Sequence, residues 1–187
     1  MTRRYEVHGV TPDRWPDMVD LFERRGRRGG HRNSPASGCW CMYWRRRSNG
    51  NVALNKRRMG AIVRAGREPG LLAYDDGAAV GWISVAPREE FAVLLRSPQY
   101  RPRDEDNGVW AIVCFTIDRE VRRHGIASAL LEAAVSHAFG RGAKALEGYP
   151  HVAKVDDYMG SVQLFERAGF VRARDANKRA VYRVERQ

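Results

Sequence analysis

An apolar strand that runs through a basic turn into a long helix is the feature that most constrains this chain. Residues 109–117, VWAIVCFTI, are almost continuously apolar, as a strand buried on both faces requires. The turn ends in RRHG, residues 122–125, and a helix is predicted from Gly125 to about Arg141. A helix start offers unpaired N–H groups and the positive end of the helix dipole, and a glycine there lets the backbone approach an anion closely. The sequence therefore predicts a pyrophosphate site, whose glycine spacing differs from the dinucleotide fingerprint and from the P-loop.

The residues of this turn resemble motif A of the GNAT acetyltransferase superfamily. That motif has Arg or Gln, two variable residues, Gly, one variable residue and then Gly or Ala, and Arg122, Gly125 and Ala127 match it. Residues 164–170, LFERAGF, resemble the second helix of the family and its Gly-Phe turn into the next strand. The resemblance covers residues 71–185 well and the first third by general layout. It implies an α/β fold in one domain, 1–187, with a mixed, mostly antiparallel central sheet flanked by helices.

The resemblance also implies a donor, an acceptor and a set of binding residues. The donor is acetyl-CoA and the usual acceptor is an amine. We expect direct transfer to a primary amine of a small molecule or peptide, without a metal. Backbone groups of Phe115 and Ile117 would pair with the pantetheine arm, and amides from Arg123 to Ala127 would hold the pyrophosphate. Thr116, Arg122 and Ser128 are also expected at the cofactor. We call the segment Arg122, Arg123, His124, Gly125, Ile126, Ala127 and Ser128 the phosphate cradle.

The chain departs from the family where an acid is expected. Many members carry a tyrosine that protonates the leaving thiolate, and this chain has Phe165, whose ring cannot donate a proton. Tyr158 stands where many members carry an asparagine near the cofactor. Tyr158 and Tyr149 are therefore the candidates for the acid, against the alternative that each is a packing residue with a satisfied hydroxyl.

Glu147 is the predicted general base. It lies in an apolar strand expected beside strand 109–117, where partial loss of water makes a carboxylate a better proton acceptor. The alternative is a structural carboxylate paired with one of the many arginines. His151, in a loop after Pro150, is a second candidate base, and Asp118 is predicted to be a turn or cap residue.

Positive charge is concentrated in one part of the chain. The net charge is +11, and residues 24–67 contain 13 Lys and Arg and no Asp or Glu. Such a region is either a solvated face of an arginine-rich protein or an attractor of anions, such as the phosphates of CoA or an RNA-borne acceptor. A polycationic acceptor such as an aminoglycoside is disfavoured. A GNAT fold that binds CoA or RNA without turnover remains the alternative function.

The remaining sequence patterns indicate where the protein is located and which state its cysteines are in. No apolar run reaches the ~20 residues that span a bilayer, and the N-terminus lacks a signal-peptide core, so a cytoplasmic protein is expected. Cys39, Cys41 and Cys114 are expected to be free thiols, and a zinc site that combines the first two with His31 is disfavoured. A homodimer is left open.

Local patterns predict the other elements. Residues 39–44 are interpreted as a strand or an ordered loop, forming either a pocket wall beside the acceptor or part of the core. A mobile basic loop is expected at about 26–38. Strands are predicted at 5–10 and 143–148, hairpins over 71–85 and 170–184, and helices from 11 to about 25 and at 51–65, 89–95 and 161–168.

Overall fold

The computed structural model describes residues 4–24, 38–46, 50–102, 107–153 and 158–186. Its strands are β1 (Glu6–Gly9), β2 (Gly70–Asp75), β3 (Ala78–Pro87), β4 (Val109–Ile117), β5 (Ala145–Gly148), β6 (Val171–Ala176) and β7 (Arg179–Glu185). Its α-helices are α1 (Trp15–Glu23), α2 (Tyr43–Arg46), α3 (Val52–Arg64), α4 (Ala92–Arg96), α5 (Ile126–Gly140) and α6 (Val162–Arg167). Short 3₁₀ turns lie at Pro12–Arg14, Arg88–Glu90 and Arg119–Val121. Among the described residues, every helix is too short or too polar to span a membrane.

The seven strands form one open sheet in the order β1-β2-β3-β4-β5-β7-β6. Each neighbouring pair is antiparallel except β4 and β5, which are parallel. This architecture confirms the mixed, mostly antiparallel sheet flanked by helices. The strand predicted over 109–117 coincides with β4, because a run without polar side chains can be buried on both faces.

Helices cover both faces of the sheet. On one face α5 and α6 pack against residues such as Ile83, Ile112 and Phe115. On the other face α1 and α3 pack around Trp82 and Cys114, and α2 and α4 pack over the neighbouring strands. Because strand side chains alternate between faces, β4 contributes to both layers and forms the centre of the core.

The aromatic segment over residues 39–44 differs from the strand interpretation. Residues 38–41 form a turn, and α2 begins at Tyr43. Trp40 and Cys41 both have a φ of 50°, which an extended strand does not allow. This turn places the Trp40 ring in the core, 5.0 Å from that of Phe22. The basic loop expected at about 26–38 lies outside the described residues apart from Gly38.

Candidate functional site

The parallel strands β4 and β5 separate part of the way along the sheet. They pair from Val109 opposite Ala145 to Ile112 opposite Gly148, and β4 then continues to Ile117. The register with β3 shifts at the same level, so that Val113 is one extra residue in β4. Such a β-bulge bends the strand that carries it. The bulge therefore opens a gap between β5 and the carboxyl half of β4.

Phe115 and Ile117, the residues expected to pair with the pantetheine arm, direct their peptide groups into this gap. Asp118 N–H donates to Val80 O at 2.9 Å, so the alternation of an antiparallel ladder turns Thr116 toward β3 and Phe115 and Ile117 away from it. The Phe115 N–H already donates to the carbonyl oxygen of Tyr158, at 2.5 Å. The Phe115 carbonyl and the peptide group of Ile117 are the groups on this edge suited to a ligand.

The phosphate cradle lies at the carboxyl end of β4. Arg123 and Gly125 have φ values of 66° and 86°, and alternation of this kind lets successive N–H groups point into one concavity. The first N–H groups of α5 have no acceptor within the helix, since its ladder starts with Ala129 N–H bonded to Gly125 O at 3.1 Å. A Cβ built on Gly125 meets no atom within 4 Å, so the space in front of the cradle is open. The cradle therefore fits a phosphate group.

Distant parts of the chain hold the cradle in shape. The Tyr5 hydroxyl donates to His124 O at 2.9 Å. Asp118 caps the turn by accepting from Glu120 N–H at 3.0 Å, which confirms its predicted role as a cap. Its second carboxylate oxygen accepts from Arg24 Nη1 at 3.1 Å, which ties the end of α1 to the end of β4. Sequence reasoning missed Tyr5 and Arg24, because no local pattern links residues about a hundred positions apart.

Glu147 lies in a buried ionic cluster. Arg88 Nη1 lies 3.3 Å from both carboxylate oxygens, and Arg183 Nη1 lies 3.2 Å from Oε1. The Tyr149 hydroxyl donates to Oε2 at 2.8 Å. Burial raises the pKa of Tyr149 well above its ordinary value, and the neighbouring carboxylate adds to that shift. The geometry favours the structural alternative for Glu147 and Tyr149, because the hydroxyl and both carboxylate oxygens already hydrogen-bond inside the protein.

Phe165 fills the space beneath the gap. Its ring is fully buried and packs edge-on against Phe115 and Phe170. A Cβ on Gly148 would lie 2.2 Å from the Phe165 ring, so this glycine is what lets the ring lie against β5. Tyr158, by contrast, is 44% exposed, and its carbonyl contacts the β4 edge.

The other candidate residues have local roles or lie elsewhere. His151 Nδ1 accepts from Ala153 N–H at 3.1 Å, which uses this nitrogen within its own loop. Cys41 and Cys114 are buried free thiols and Cys39 is partly buried, whereas His31 lies outside the described residues. Met42, Tyr43 and Trp44 line a cleft of about 1210 Å³, so the aromatic segment contributes to a pocket wall as well as to the core.

The gap between β4 and β5 and the phosphate cradle at the start of α5 lie side by side. This arrangement fits the acyltransferase class that the sequence resemblance implied. The Acetyltransferase (GNAT) family matches residues 15–170. The chain belongs to that family and is an N-acetyltransferase. No curated protein matches the sequence significantly.

Solved structures share the fold at low sequence identity. The aminoglycoside acetyltransferase AAC(6')-Ib in complex with coenzyme A superposes with a TM-score of 0.62 at 15% identity, over 98% of this chain and 96% of that one. The GNAT domain of S. lividans PAT gives 0.60 at 16% identity, over 97% and 90%. A GNAT family acetyltransferase from Brucella melitensis in complex with acetyl-CoA gives 0.54 at 14% identity, over 98% and 89%. The TM-scores and coverage show a common fold. At such low sequence identity, these structures do not indicate which acceptor this chain uses.

Proposed function

We propose that this protein transfers an acetyl group directly from acetyl-CoA to a primary amine. The observation that carries the proposal is the gap beside β4 with the phosphate cradle at its end. Two structural neighbours, AAC(6')-Ib and the Brucella melitensis protein, were solved with coenzyme A and acetyl-CoA respectively, which supports the same donor here.

The cradle and the β4 edge are proposed to bind different parts of the donor. The N–H groups of Ile126, Ala127 and Ser128, together with the positive end of the α5 dipole, bind the pyrophosphate. Arg122 and Arg123 are exposed beside them and add positive charge. The Phe115 carbonyl and the Ile117 peptide group hydrogen-bond the pantetheine arm. The donor, held in this way, supplies the acetyl group as a thioester facing the gap.

Direct transfer requires three proton movements and one exchange of bonds. The acceptor ammonium loses a proton to solvent, and the amine nitrogen bonds to the carbonyl carbon. The nitrogen then loses a second proton to solvent, and the carbon–sulfur bond breaks. We propose that the Tyr158 hydroxyl gives its proton to the departing thiolate and recovers one from solvent. Orienting the two reactants can contribute at most about 7–11 kcal/mol of barrier lowering, so no strong nucleophile is needed. In this proposal Glu147 has a structural role: its ion pairs with Arg88 and Arg183 hold β5 in position beside the gap.

Calorimetric titration of acetyl-CoA, followed by a thiol-release assay over amines, tests the proposal. We expect stoichiometric binding that weakens for 3′-dephospho-CoA, and release of CoA with at least one class of amine. Small amines, amino acids, peptides, kanamycin and aminoacyl-tRNA form the panel, because AAC(6')-Ib was also solved with kanamycin. Absence of acetyl-CoA binding would overturn the donor assignment, and binding without turnover on any amine would favour a binding module.

A further inference from the structure

A large cleft opens on the sheet face opposite α5. It has a volume of about 1210 Å³ and is walled by α2, α3, α4 and residues 97–100. We call it the arginine cleft, because its lining includes Arg45, Arg46, Arg58, Arg67 and Arg96. Among the described residues that line it, Glu90 is the one carboxylate.

The positive charge of the arginine cleft is only partly neutralised. Glu90 pairs with Arg45, and its carboxylate also lies 3.8 Å from Arg67. Within the described part of the chain, the guanidinium groups of Arg46, Arg58 and Arg96 have no carboxylate partner. Like charges gathered in a concave surface raise the local concentration of anions. The cleft therefore favours a ligand that carries negative charge.

Two buried side-chain donors in the wall of the cleft have no acceptor within the described ranges of the chain. The Arg45 side chain is 4% exposed and lies over the Phe91 ring at 4.7 Å, and its Nε finds no hydrogen-bond partner among the described residues. The same is true of Trp44 Nε1. Both atoms are enclosed by protein, so a ligand in the cleft would reach them only if the wall shifted. What indicates an anion in this cleft is therefore the charge of its arginines.

Aromatic packing connects the arginine cleft to the gap. The Trp44 ring lies 5.6 Å from that of Tyr100, which lies 5.6 Å from that of Tyr149. Val113, the extra residue of the β4 bulge, belongs to the same apolar cluster. A ligand in the cleft would therefore lie against the layer that borders the gap, on the sheet face that α5 does not cover.

We propose that the arginine cleft binds a carboxylate or phosphate of the acceptor, so that the acceptor is a small amine with an acidic group. This inference rests on the proposed acetyl transfer for the role of the ligand as an acceptor. A cleft of this volume is slightly larger than the ~300–1,000 Å³ typical of small-molecule sites, and it suits a compact ligand better than an extended polymer. A polyamine is disfavoured, because the arginines would repel it.

Matched amines and matched arginine variants test this inference. The amine pairs are ethanolamine against O-phosphoethanolamine and amino-acid amides against the free amino acids, which separate phosphate from carboxylate. Arg58→Ala and Arg96→Ala remove lining arginines, and Arg57→Ala is the control, since it makes the same change at the adjacent, exposed position of α3 outside the cleft. Binding of each anionic amine and of inorganic phosphate is measured by calorimetry without donor, and turnover is measured with acetyl-CoA.

We expect the anionic member of at least one pair to bind and to be acetylated more efficiently than its neutral partner. Arg58→Ala and Arg96→Ala should weaken that binding about tenfold each, with unchanged affinity for acetyl-CoA, and Arg57→Ala should leave it unchanged. Three results would overturn the inference: no anionic probe binds at millimolar concentration, the Arg57 and Arg58 variants bind alike, or Arg58→Ala weakens acetyl-CoA instead. Preferential binding of short RNA, weakened equally by the Arg57 and Arg58 variants, would also overturn it. If the anions bind through Arg58 but acetyl-CoA does not bind, the anion site stands and the proposed acetyl transfer fails.

Discussion

Tyr158 and Phe165 differ in whether they could protonate the leaving thiolate. The Phe165 ring is buried against Phe115 and Phe170 and has no dissociable proton. Tyr158 holds the β4 edge through its carbonyl and keeps 44% of its surface exposed. Tyr158 is therefore the candidate acid whose side chain is exposed and whose backbone lies at this edge.

Replacement of Tyr158 by Phe removes the hydroxyl and leaves the backbone contact with Phe115 unchanged. Loss of a general acid lowers turnover by about 10²-fold or more, so we expect kcat to fall by that factor with unchanged affinity for acetyl-CoA. Steady-state kinetics and calorimetry measure the two quantities, and the melting temperature serves as the folding control. An unaltered kcat would show that solvent protonates the thiolate.

Glu147 and Glu185 both pair with Arg183, but one is buried and the other is exposed. The Glu147 side chain is 7% exposed and the Glu185 side chain is 63% exposed. Glu147→Gln removes the buried negative charge that pairs with Arg88 and Arg183, and we expect a loss of about 3–5 kcal/mol in the free energy of unfolding. Glu185→Gln should cost less than about 1 kcal/mol.

Urea denaturation of both glutamate variants measures these costs, and a pH profile separates the two roles of Glu147. If it is structural, Glu147→Gln keeps the shape of the wild-type profile of kcat/KM against pH in whatever fraction remains folded. Loss of the acidic limb, where a general base becomes protonated, in a stable variant would instead identify Glu147 as the general base.

Single elements of this protein differ in how far their sequence determines them. The apolar run 109–117 and the helical pattern after Gly125 define β4 and α5 almost to the residue. The bulge at Val113 could not be predicted, because it exists only in the register between β3 and β4 and has no glycine or proline to mark it. Of the two interpretations of the aromatic segment, a strand or an ordered loop, the strand is wrong, because Trp40 and Cys41 have positive φ and lie in a turn.

The start of α5 provides a direct test of the phosphate cradle. Gly125 and Gly142, before and after this helix, share a φ of 86°, and a Cβ at either position meets no atom within 4 Å. Valine at either site therefore imposes a similar backbone strain, of order 1–3 kcal/mol. We expect Gly125→Val to reduce acetyl-CoA affinity at least tenfold, because its side chain would occupy the space of the phosphate.

Gly142→Val is the matched control, since it lies beyond the other end of α5. It should lose stability to a similar extent and retain acetyl-CoA affinity. Calorimetry at a temperature where both variants are folded measures the difference. Equal affinities for the two variants would remove the cradle from the binding site.

At the scale of the whole molecule, contacts between residues far apart in the sequence form features that local sequence patterns could not predict. Tyr5 and His124 are joined by a hydrogen bond, and Arg24 reaches Asp118, although neither pair belongs to a common motif. The sequence predicted the family, the sheet and the cradle from local patterns. The ionic cluster at Glu147 and the arginine cleft required the fold, since their members come from separate helices and strands.

The net charge of +11 predicts that electrostatic attraction speeds the association of the protein with an anionic donor. A positive protein attracts the phosphates of acetyl-CoA over several ångströms, and salt shortens this range from about 10 Å at 0.1 M to about 3 Å at 1 M. We expect kcat/KM for acetyl-CoA to fall several-fold over that range, while kcat changes little because the bound complex reacts after association. S-Acetylpantetheine, which has the thioester and no phosphate, is the control, and its kcat/KM should be nearly insensitive to salt. Equal salt dependence for the two donors would mean that salt acts on the fold or the acceptor and that long-range attraction does not assist donor capture.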